Sequence, residues 1–125
     1  MYNSKSIKCM VTIGIDPGYF HKNKKFDNID FYGFLQEFIE IEATKYRYIP
    51  FVVSKSRAIY SMAYGCPYGG EKVYTLTAVL NPKYETCTES EWQDDCIKII
   101  EDLKDKLKQT TVTMTFEECD FYYLT

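Results

Sequence analysis

An amphipathic helix between Thr88 and Leu107 is the feature that most limits what this chain can fold into. The segment Thr88-Glu89-Ser90-Glu91 matches a capping box, in which side chains of the first and fourth residues satisfy backbone N–H groups at a helix start. Apolar residues then recur at helical spacing: Trp92, Cys96, Ile99, Ile100, Leu103 and Leu107. A helix with such a face must bury it against a second layer of structure.

The N-terminal part of the chain predicts one strand followed by one helix. Lys8 to Ile15 alternates between apolar and polar residues and ends at the turn Asp16-Pro17-Gly18, which is typical of a strand. Apolar residues at helical spacing follow, at Phe31, Phe34, Leu35, Phe38 and Ile39, after possible N-caps at Asn28 or Asp30. We expect this helix to run to about Ala43 or Tyr46, with Glu37, Glu40 and Glu42 on its outer side.

The rest of the chain predicts five further strands, because β-branched and aromatic residues are concentrated in short segments bounded by turn residues. These segments are Tyr48–Val53, Arg57–Tyr64, Lys72–Leu80, Thr111–Phe116 and Phe121–Leu124. The resulting order is β-α-β-β-β-α-β-β. It indicates an α+β domain with two helices on one face of an antiparallel sheet, and 125 residues fit one such domain, 1–125.

Composition narrows the possible partners and the compartment. A net charge of -3 argues against binding long nucleic acid, whose affinity comes largely from neutralised phosphates. The five cysteines include no Cys-x-x-Cys pair, which favours reduced thiols over a zinc or redox site. No secretory signal and no membrane-spanning segment is visible, so we expect a cytosolic protein that has no contact with a membrane.

Gly65-Cys66-Pro67-Tyr68-Gly69-Gly70-Glu71 is either an elaborate hairpin turn or a ligand cradle, and spacing leaves both open. It is no nucleotide-hydrolase P-loop, since no Gly-Lys-Ser/Thr follows and a strand comes next. Its backbone N–H groups could still form an anion nest, with Lys55, Arg57 and Lys72 nearby. Tyr60, Tyr64, Tyr68 and Tyr74 surround the loop. They could stack on a nucleobase or simply pack across strands.

The residues offer little for catalysis or metal binding. The single histidine, His21, lies in a lysine-flanked loop, where a solvated side chain is the simpler interpretation. Cys66 is the least implausible nucleophile, although small buried cysteines are far more common than catalytic ones. The acidic residues between Glu89 and Asp105 alternate with lysines, as on a solvated helix face. We therefore expect no catalytic residue, no metal and no cofactor.

Gly-Cys-Pro-x-Gly-Gly-Glu at Gly65 to Glu71, with Asn81-Pro82, Trp92 and Gln109, resembles the first described family of phage Thoeris anti-defence sponges. The resemblance spans roughly Val52 to Phe116. It implies a phage-encoded, non-enzymatic protein in the host bacterial cytoplasm that sequesters glycocyclic ADP-ribose, a small cyclic nucleotide, without cleaving it. It also implies a homodimer or higher homo-oligomer with ligand pockets between subunits.

On this interpretation Arg57 binds phosphate, the tyrosines stack on the ligand, and Glu71 and Asn81 bind base or ribose. The full set of predicted ligand-binding residues is Arg57, Tyr60, Tyr64, Cys66, Tyr68, Gly69, Gly70, Glu71 and Asn81. Two other classes stay open: a phage inhibitor that binds a host protein, and a cyclic-nucleotide hydrolase that would need His21 as a base. A plain structural phage protein is the simplest alternative to all three.

Overall fold

Six main elements alternate along the chain in the order β-α-β-β-α-β, with one turn of 3-10 helix at Met62–Tyr64. They are β1 (Tyr2–Gly14), α1 (Asn28–Ala43), β2 (Val52–Ala58), β3 (Glu71–Val79), α2 (Glu89–Lys106) and β4 (Thr113–Tyr123). This computed structural model describes residues 1–15 and 28–125, and of residues 28–30 only the backbone. The predictions for His21 and for the N-cap side chains of α1 lie outside the described residues.

The four strands form one antiparallel sheet in the order β2-β3-β1-β4. β1 is central: it pairs with β3 over Lys8–Gly14 and with β4 over Tyr2–Thr12. Buried residues of both helices pack with those of one sheet face in a single core. The predicted α+β architecture, with two helices on one face of an antiparallel sheet, is confirmed.

Two predicted turns are instead the middles of longer strands, so the sheet has four strands where six are predicted. Residues 54–56 lie within β2, and residues 117–120 lie within β4. Of the predicted strands Tyr48–Val53 and Arg57–Tyr64, only residues 52–53 and 57–58 belong to β2; the rest of both predictions is wrong, and Met62–Tyr64 is the 3-10 turn. β2 and β4 are both edge strands, and an edge strand with a solvated side tolerates polar residues. In β4, Glu117 and Asp120 lie directly opposite Lys8 and Lys5 of β1 and form cross-strand ion pairs. The β1–β4 register therefore explains why this charged segment, which looks like a turn in the sequence, continues the strand.

The predicted helix start and buried face of α2 are confirmed. The Thr88 hydroxyl accepts a hydrogen bond from the Glu91 N–H at 3.1 Å, and the Glu91 carboxylate accepts one from the Thr88 N–H at 3.0 Å. The predicted stripe from Trp92 to Leu107 is buried throughout. None of the helices in the described part of the chain is long and apolar enough to cross a membrane.

Glu42 differs from its predicted place on the outer side of α1, because its side chain is only 1% exposed. One carboxylate oxygen lies 3.4 Å from Lys45 Nζ, and the other has no hydrogen-bond partner among the described residues. Burial, followed by the interaction with the nearby Asp102 carboxyl group of α2, raises the pKa of Glu42 above its ordinary value. The fold therefore favours the protonated form of this carboxyl group.

Glu42→Gln is expected to stabilise the protein increasingly as the pH rises from about 4, the ordinary pKa range of a glutamate, through the raised pKa of the folded state. The raised pKa means that the folded state binds this proton more tightly than the unfolded state does, so wild-type stability falls as the pH rises through that window. Glutamine removes the cost of burying the ionised carboxylate, and we expect the free energy of unfolding to increase by about 1–3 kcal/mol at the highest pH of this range. Denaturant unfolding at several pH values measures it. Exposed Glu40→Gln on the same helix is the control, and equal pH profiles for both variants would contradict the prediction.

Candidate functional site

The glycine-rich loop forms the tip of the hairpin that joins β2 to β3. Ser61 caps the 3-10 turn by accepting a hydrogen bond from the Ala63 N–H at 3.2 Å. Gly65 ends that turn with a φ of 97°, and its N–H donates to the Met62 carbonyl at 3.0 Å. Gly69 and Gly70 also have positive φ values, 87° and 93°. Turn geometry alone therefore accounts for these glycines.

Gly70 and Cys66 fasten this tip to the end of β2. A Cβ atom on Gly70 would lie 3.1 Å from the Ala58 carbonyl oxygen, so the two backbones approach more closely than a side chain allows. The Cys66 thiol is buried and lies 3.4 Å from the Pro67 carbonyl oxygen and 3.8 Å from that of Ala58. This is the environment of a packed thiol and not of an accessible nucleophile.

Polar side chains from three parts of the chain meet at the base of the hairpin, where β3 begins. Tyr60 Oη lies 3.4 Å from Glu71 Oε2. A methyl group on Gly14 would lie 3.2 Å from Glu71 Oε1 and 2.9 Å from Gln109 Oε1, so both side chains lie against Gly14. We call Tyr60, Glu71 and Gln109 the hairpin-base cluster.

Strand register and a turn after α2 bring this cluster together. Glu71 pairs with Ala58, and Gly14 pairs with Val73, so Gly14 and Glu71 both belong to the sheet face opposite the helices. Beyond α2, Lys108 adopts a positive φ of 56°, and the chain turns back towards the end of β1. Gln109 Nε2 donates to the Leu107 carbonyl at 3.2 Å, which restricts this side chain.

The cluster presents a carboxylate beside a protonated phenol. Partial burial, followed by the negative charge of Glu71, raises the pKa of Tyr60, so the phenol keeps its proton at neutral pH and donates to Glu71. Glu71 is half-buried, and no ion pair within residues 1–15 and 28–125 neutralises it. This arrangement is suited to bind a cation or the donor groups of a polar ligand.

Only part of the predicted site is gathered here. The structure brings Tyr60 and Glu71 together and places Gly69, Gly70 and Cys66 in the adjoining loop. Tyr64 and Tyr68 extend from the tip, 86% and 97% exposed, so neither has the packed environment of a cross-strand ladder. Whether they contact a ligand stays a prediction.

Arg57 and Asn81 lie outside the cluster, although Arg57 Nη1 donates a hydrogen bond to the Gly70 carbonyl, next to Glu71, at 3.5 Å. Arg57 pairs with Lys72, so it belongs to the sheet face that the helices cover, whereas Glu71 belongs to the opposite face. Asn81 follows the far end of β3, where its side chain accepts a hydrogen bond from the Lys83 N–H at 3.1 Å and organises its own turn. We therefore leave both residues out of the candidate site at the hairpin base.

Gly14 and Gln109 are the members of the site that are absent from the predicted set of ligand-binding residues. A lone glycine in a strand often marks a close approach, so Gly14 carried a usable signal. Gln109 was named only as part of the family resemblance and without a role, because its proximity to Glu71 depends on the turn after α2. Within the described residues, no group of three or more His, Cys, Asp or Glu side chains is arranged to hold a metal ion.

Comparison with known protein families assigns the chain. A family model described as SAM lyase matches residues 4–125, which is nearly the whole sequence. The chain belongs to the SAM lyase family. Comparison with curated protein sequences finds no match.

Two solved structures are similar to this SAM lyase family member. A phage SAM lyase in complex with S-methyl-5'-thioadenosine superposes with a TM-score of 0.60 at 13% identity, covering 90% of this chain and 81% of that one. A putative PII-like signalling protein from Thermus thermophilus aligns with a TM-score of 0.45 at 10% identity, covering 97% and 92%. At 13% identity, the similarity to the phage enzyme concerns the fold.

The family assignment overturns the function drawn from the glycine-loop resemblance. A non-enzymatic sponge for glycocyclic ADP-ribose is wrong, since the chain belongs to an enzyme family named for S-adenosylmethionine (SAM). The Thoeris-inhibitor assignment and the cyclic-nucleotide hydrolase alternative are not supported either. The alternative of an inhibitor that binds a host protein also lacks support, because the family is one of enzymes. The motif misled because its glycines, proline and cysteine build a turn, and such a turn does not specify a ligand.

Proposed function

We propose that this protein is an enzyme that cleaves SAM at its sulfonium centre without water. The family match over residues 4–125 carries this proposal. The ligand in the similar phage enzyme, S-methyl-5'-thioadenosine, contains the adenosine, sulfur and methyl group of SAM. Its formation from SAM requires cleavage of the bond between sulfur and Cγ of the methionine part. The reaction therefore releases S-methyl-5'-thioadenosine and a four-carbon amino-acid fragment.

The substrate's own carboxylate can serve as the nucleophile. One carboxylate oxygen attacks Cγ, a C–O bond forms, the C–S bond breaks, and its electron pair neutralises the sulfonium. The products are S-methyl-5'-thioadenosine and homoserine lactone, with no net uptake of water or protons. Such a reaction needs the protein mainly to hold the substrate in a folded conformation, with the carboxylate behind Cγ.

We place Glu71 against the α-ammonium group of SAM. The sulfonium loses its charge in the transition state, so a carboxylate in contact with sulfur would stabilise the bound substrate more than the transition state. The ammonium keeps its charge throughout. Tyr60 donates to Glu71 at 3.4 Å and can therefore orient this carboxylate. Gln109 also lies against Gly14 and adds a polar side chain to the site.

Product analysis tests this reaction. The protein is incubated with SAM carrying two deuterium atoms at Cβ of the methionine part, and products are identified by mass spectrometry. We expect S-methyl-5'-thioadenosine together with homoserine lactone that retains both deuterium atoms. Loss of one deuterium would instead indicate elimination, with a protein base at Cβ. Absence of S-methyl-5'-thioadenosine would refute the proposed function.

Gly14→Ala is expected to lower kcat/KM for SAM by about 10-fold or more, the effect of misplacing one charge-assisted contact. The added methyl group would displace Glu71 and Gln109, whose flexible ends can move, so thermal stability should change little. Gly33→Ala is the control, because a Cβ atom at that exposed α1 position meets nothing within 4 Å. It should leave activity unchanged and raise stability by about 0.5–1 kcal/mol. Wild-type kinetics for Gly14→Ala would contradict the role of this contact.

Phage origin, location in the host cytoplasm and the homo-oligomeric state stay predictions. The phage source of the similar SAM lyase supports the first of these. Light scattering of the purified protein measures the third. A mass equal to one 14.7 kDa chain at all concentrations would contradict the predicted oligomer.

A further inference from the structure

A groove separate from the hairpin-base cluster lies between α1 and the segment that leads into edge strand β2. Its volume is about 280 Å³. It is lined by Tyr32, Leu35, Gln36, Ile39, Tyr48, Pro50, Phe51 and Val53. We call it the β2 groove. The volume is near the lower end of the range for small-molecule sites, enough for a nucleobase with its sugar.

The groove offers aromatic rings that packing holds in place. Tyr32 packs edge-to-face on Tyr74, with ring centroids 5.5 Å apart, and Tyr74 stacks on Phe31 at 4.2 Å. Tyr32 is nevertheless 43% exposed, and Tyr48 on the other wall is 50% exposed. Because Tyr32 is fixed on one side and open on the other, it can stack on a planar ligand with little loss of side-chain entropy, and Tyr48 adds a second exposed ring.

A basic row continues from this groove along the same side of the sheet. Val53 and Lys55 pair with Leu76 and Tyr74, whose side chains are fully buried on the helix side. Lys55 therefore belongs to the helix side of the sheet, the same side as the groove. Arg57 lies two residues further along β2, about 7 Å away, and belongs to the same side. Neither cation forms an ion pair with any described residue, and Arg57 Nη1 donates a long hydrogen bond to the Gly70 carbonyl at 3.5 Å, which leaves its charge uncompensated.

We propose that the β2 groove and the basic row form a second binding site, for a nucleoside phosphate. The base stacks in the groove between Tyr32 and Tyr48, and the phosphates reach Lys55 and Arg57. The chain as a whole has a net charge of -3, but here two cations without ion pairs lie beside an aromatic groove. The cations can bind the phosphates of a nucleotide, and the rings can stack on its base.

This site differs from the hairpin-base cluster in position and in charge. Arg57 belongs to the helix side of the sheet, whereas Glu71 belongs to the opposite face. The carboxylate of Glu71 would repel a phosphate, and the basic row would repel the sulfonium of SAM. The second site therefore goes beyond the proposed lyase reaction and does not depend on it.

Isothermal titration with ATP as the probe tests this inference, with adenosine and tripolyphosphate titrated separately. We expect ATP to bind more than 10-fold tighter than either part alone. The double variant Lys55→Gln/Arg57→Gln should weaken ATP binding by more than about 10-fold, since each cation makes a charge-assisted contact. Tyr48→Ser should also weaken it. Lys106→Gln, an exposed charge change on α2, should leave it unchanged, and all variants should keep their affinity for S-methyl-5'-thioadenosine.

Three results would overturn the second site. One is no detectable ATP binding by the wild-type protein at about 1 mM, the weak limit of a specific small-molecule site. Another is unchanged ATP affinity in both the double variant and Tyr48→Ser. The third is displacement of ATP by S-methyl-5'-thioadenosine, which would place both ligands in one site. Loss of lyase activity alone bears only on the proposed function.

Discussion

Replacing Glu71 by Gln is expected to lower kcat/KM for SAM by about 100-fold, or roughly 2.7 kcal/mol. The substitution keeps the size of the side chain and removes its charge. Glu71 lies against Tyr60 and beside Gly14, and no ion pair among the described residues compensates it. In the proposed reaction, the energy lost is that of the electrostatic contact between Glu71 and the α-ammonium group of SAM.

A matched variant separates this effect from the general loss of a negative charge. Glu101→Gln removes an exposed carboxylate from α2 and should leave the kinetics unchanged. Tyr60→Phe should have a smaller effect than Glu71→Gln, because the carboxylate stays and only its orientation is loosened. Full activity of Glu71→Gln, with the fold intact by circular dichroism, would remove Glu71 from the site.

Phe31→Ala is expected to destabilise the protein by about 3–5 kcal/mol. Phe31 is fully buried, and its ring stacks on Tyr74 with centroids 4.2 Å apart. The pair joins α1 to β3, so the truncation leaves a cavity between the helix and the sheet and also removes the stacking energy. Chemical denaturation at a fixed pH measures the loss.

Two substitutions define the scale of that loss. Phe31→Leu retains most of the buried volume and should cost about 1.5 kcal/mol or less. Tyr68→Ala removes an aromatic ring that is 97% exposed at the hairpin tip and should change stability by about 0.5 kcal/mol at most. Similar costs for Phe31→Ala and Tyr68→Ala would show that the stacked pair does not stabilise the fold.

Local patterns in the sequence predicted the class of fold but not the number of strands. The α2 helix was predicted correctly, with its cap and its buried stripe, because both depend on residues within a few turns of one another. β2 and β4 were each divided in two, because their polar residues lie on exposed edges or pair with charges of β1. Pairing partners far along the chain decide such strands.

The candidate site divides in the same way. Tyr60 and Glu71 were predicted because they flank the glycine loop in the sequence, and the hairpin keeps them together. Gly14 and Gln109 joined them only in the structure. The burial of Glu42 was also missed, because the charge pattern of α1 does not record how closely α2 packs beside it.

The sequence by itself determined the layers of this protein, since hydrophobic period and capping are properties of neighbouring residues. It also marked the tight turn at the glycine loop, whose φ values only glycine adopts at low cost. Only the tertiary structure decided that Glu71 and Gln109 both lie against Gly14, and that Arg57 belongs to the other side of the sheet. The physical reason is strand register: a shift by one residue exchanges the two faces of a strand, and no short segment encodes that choice.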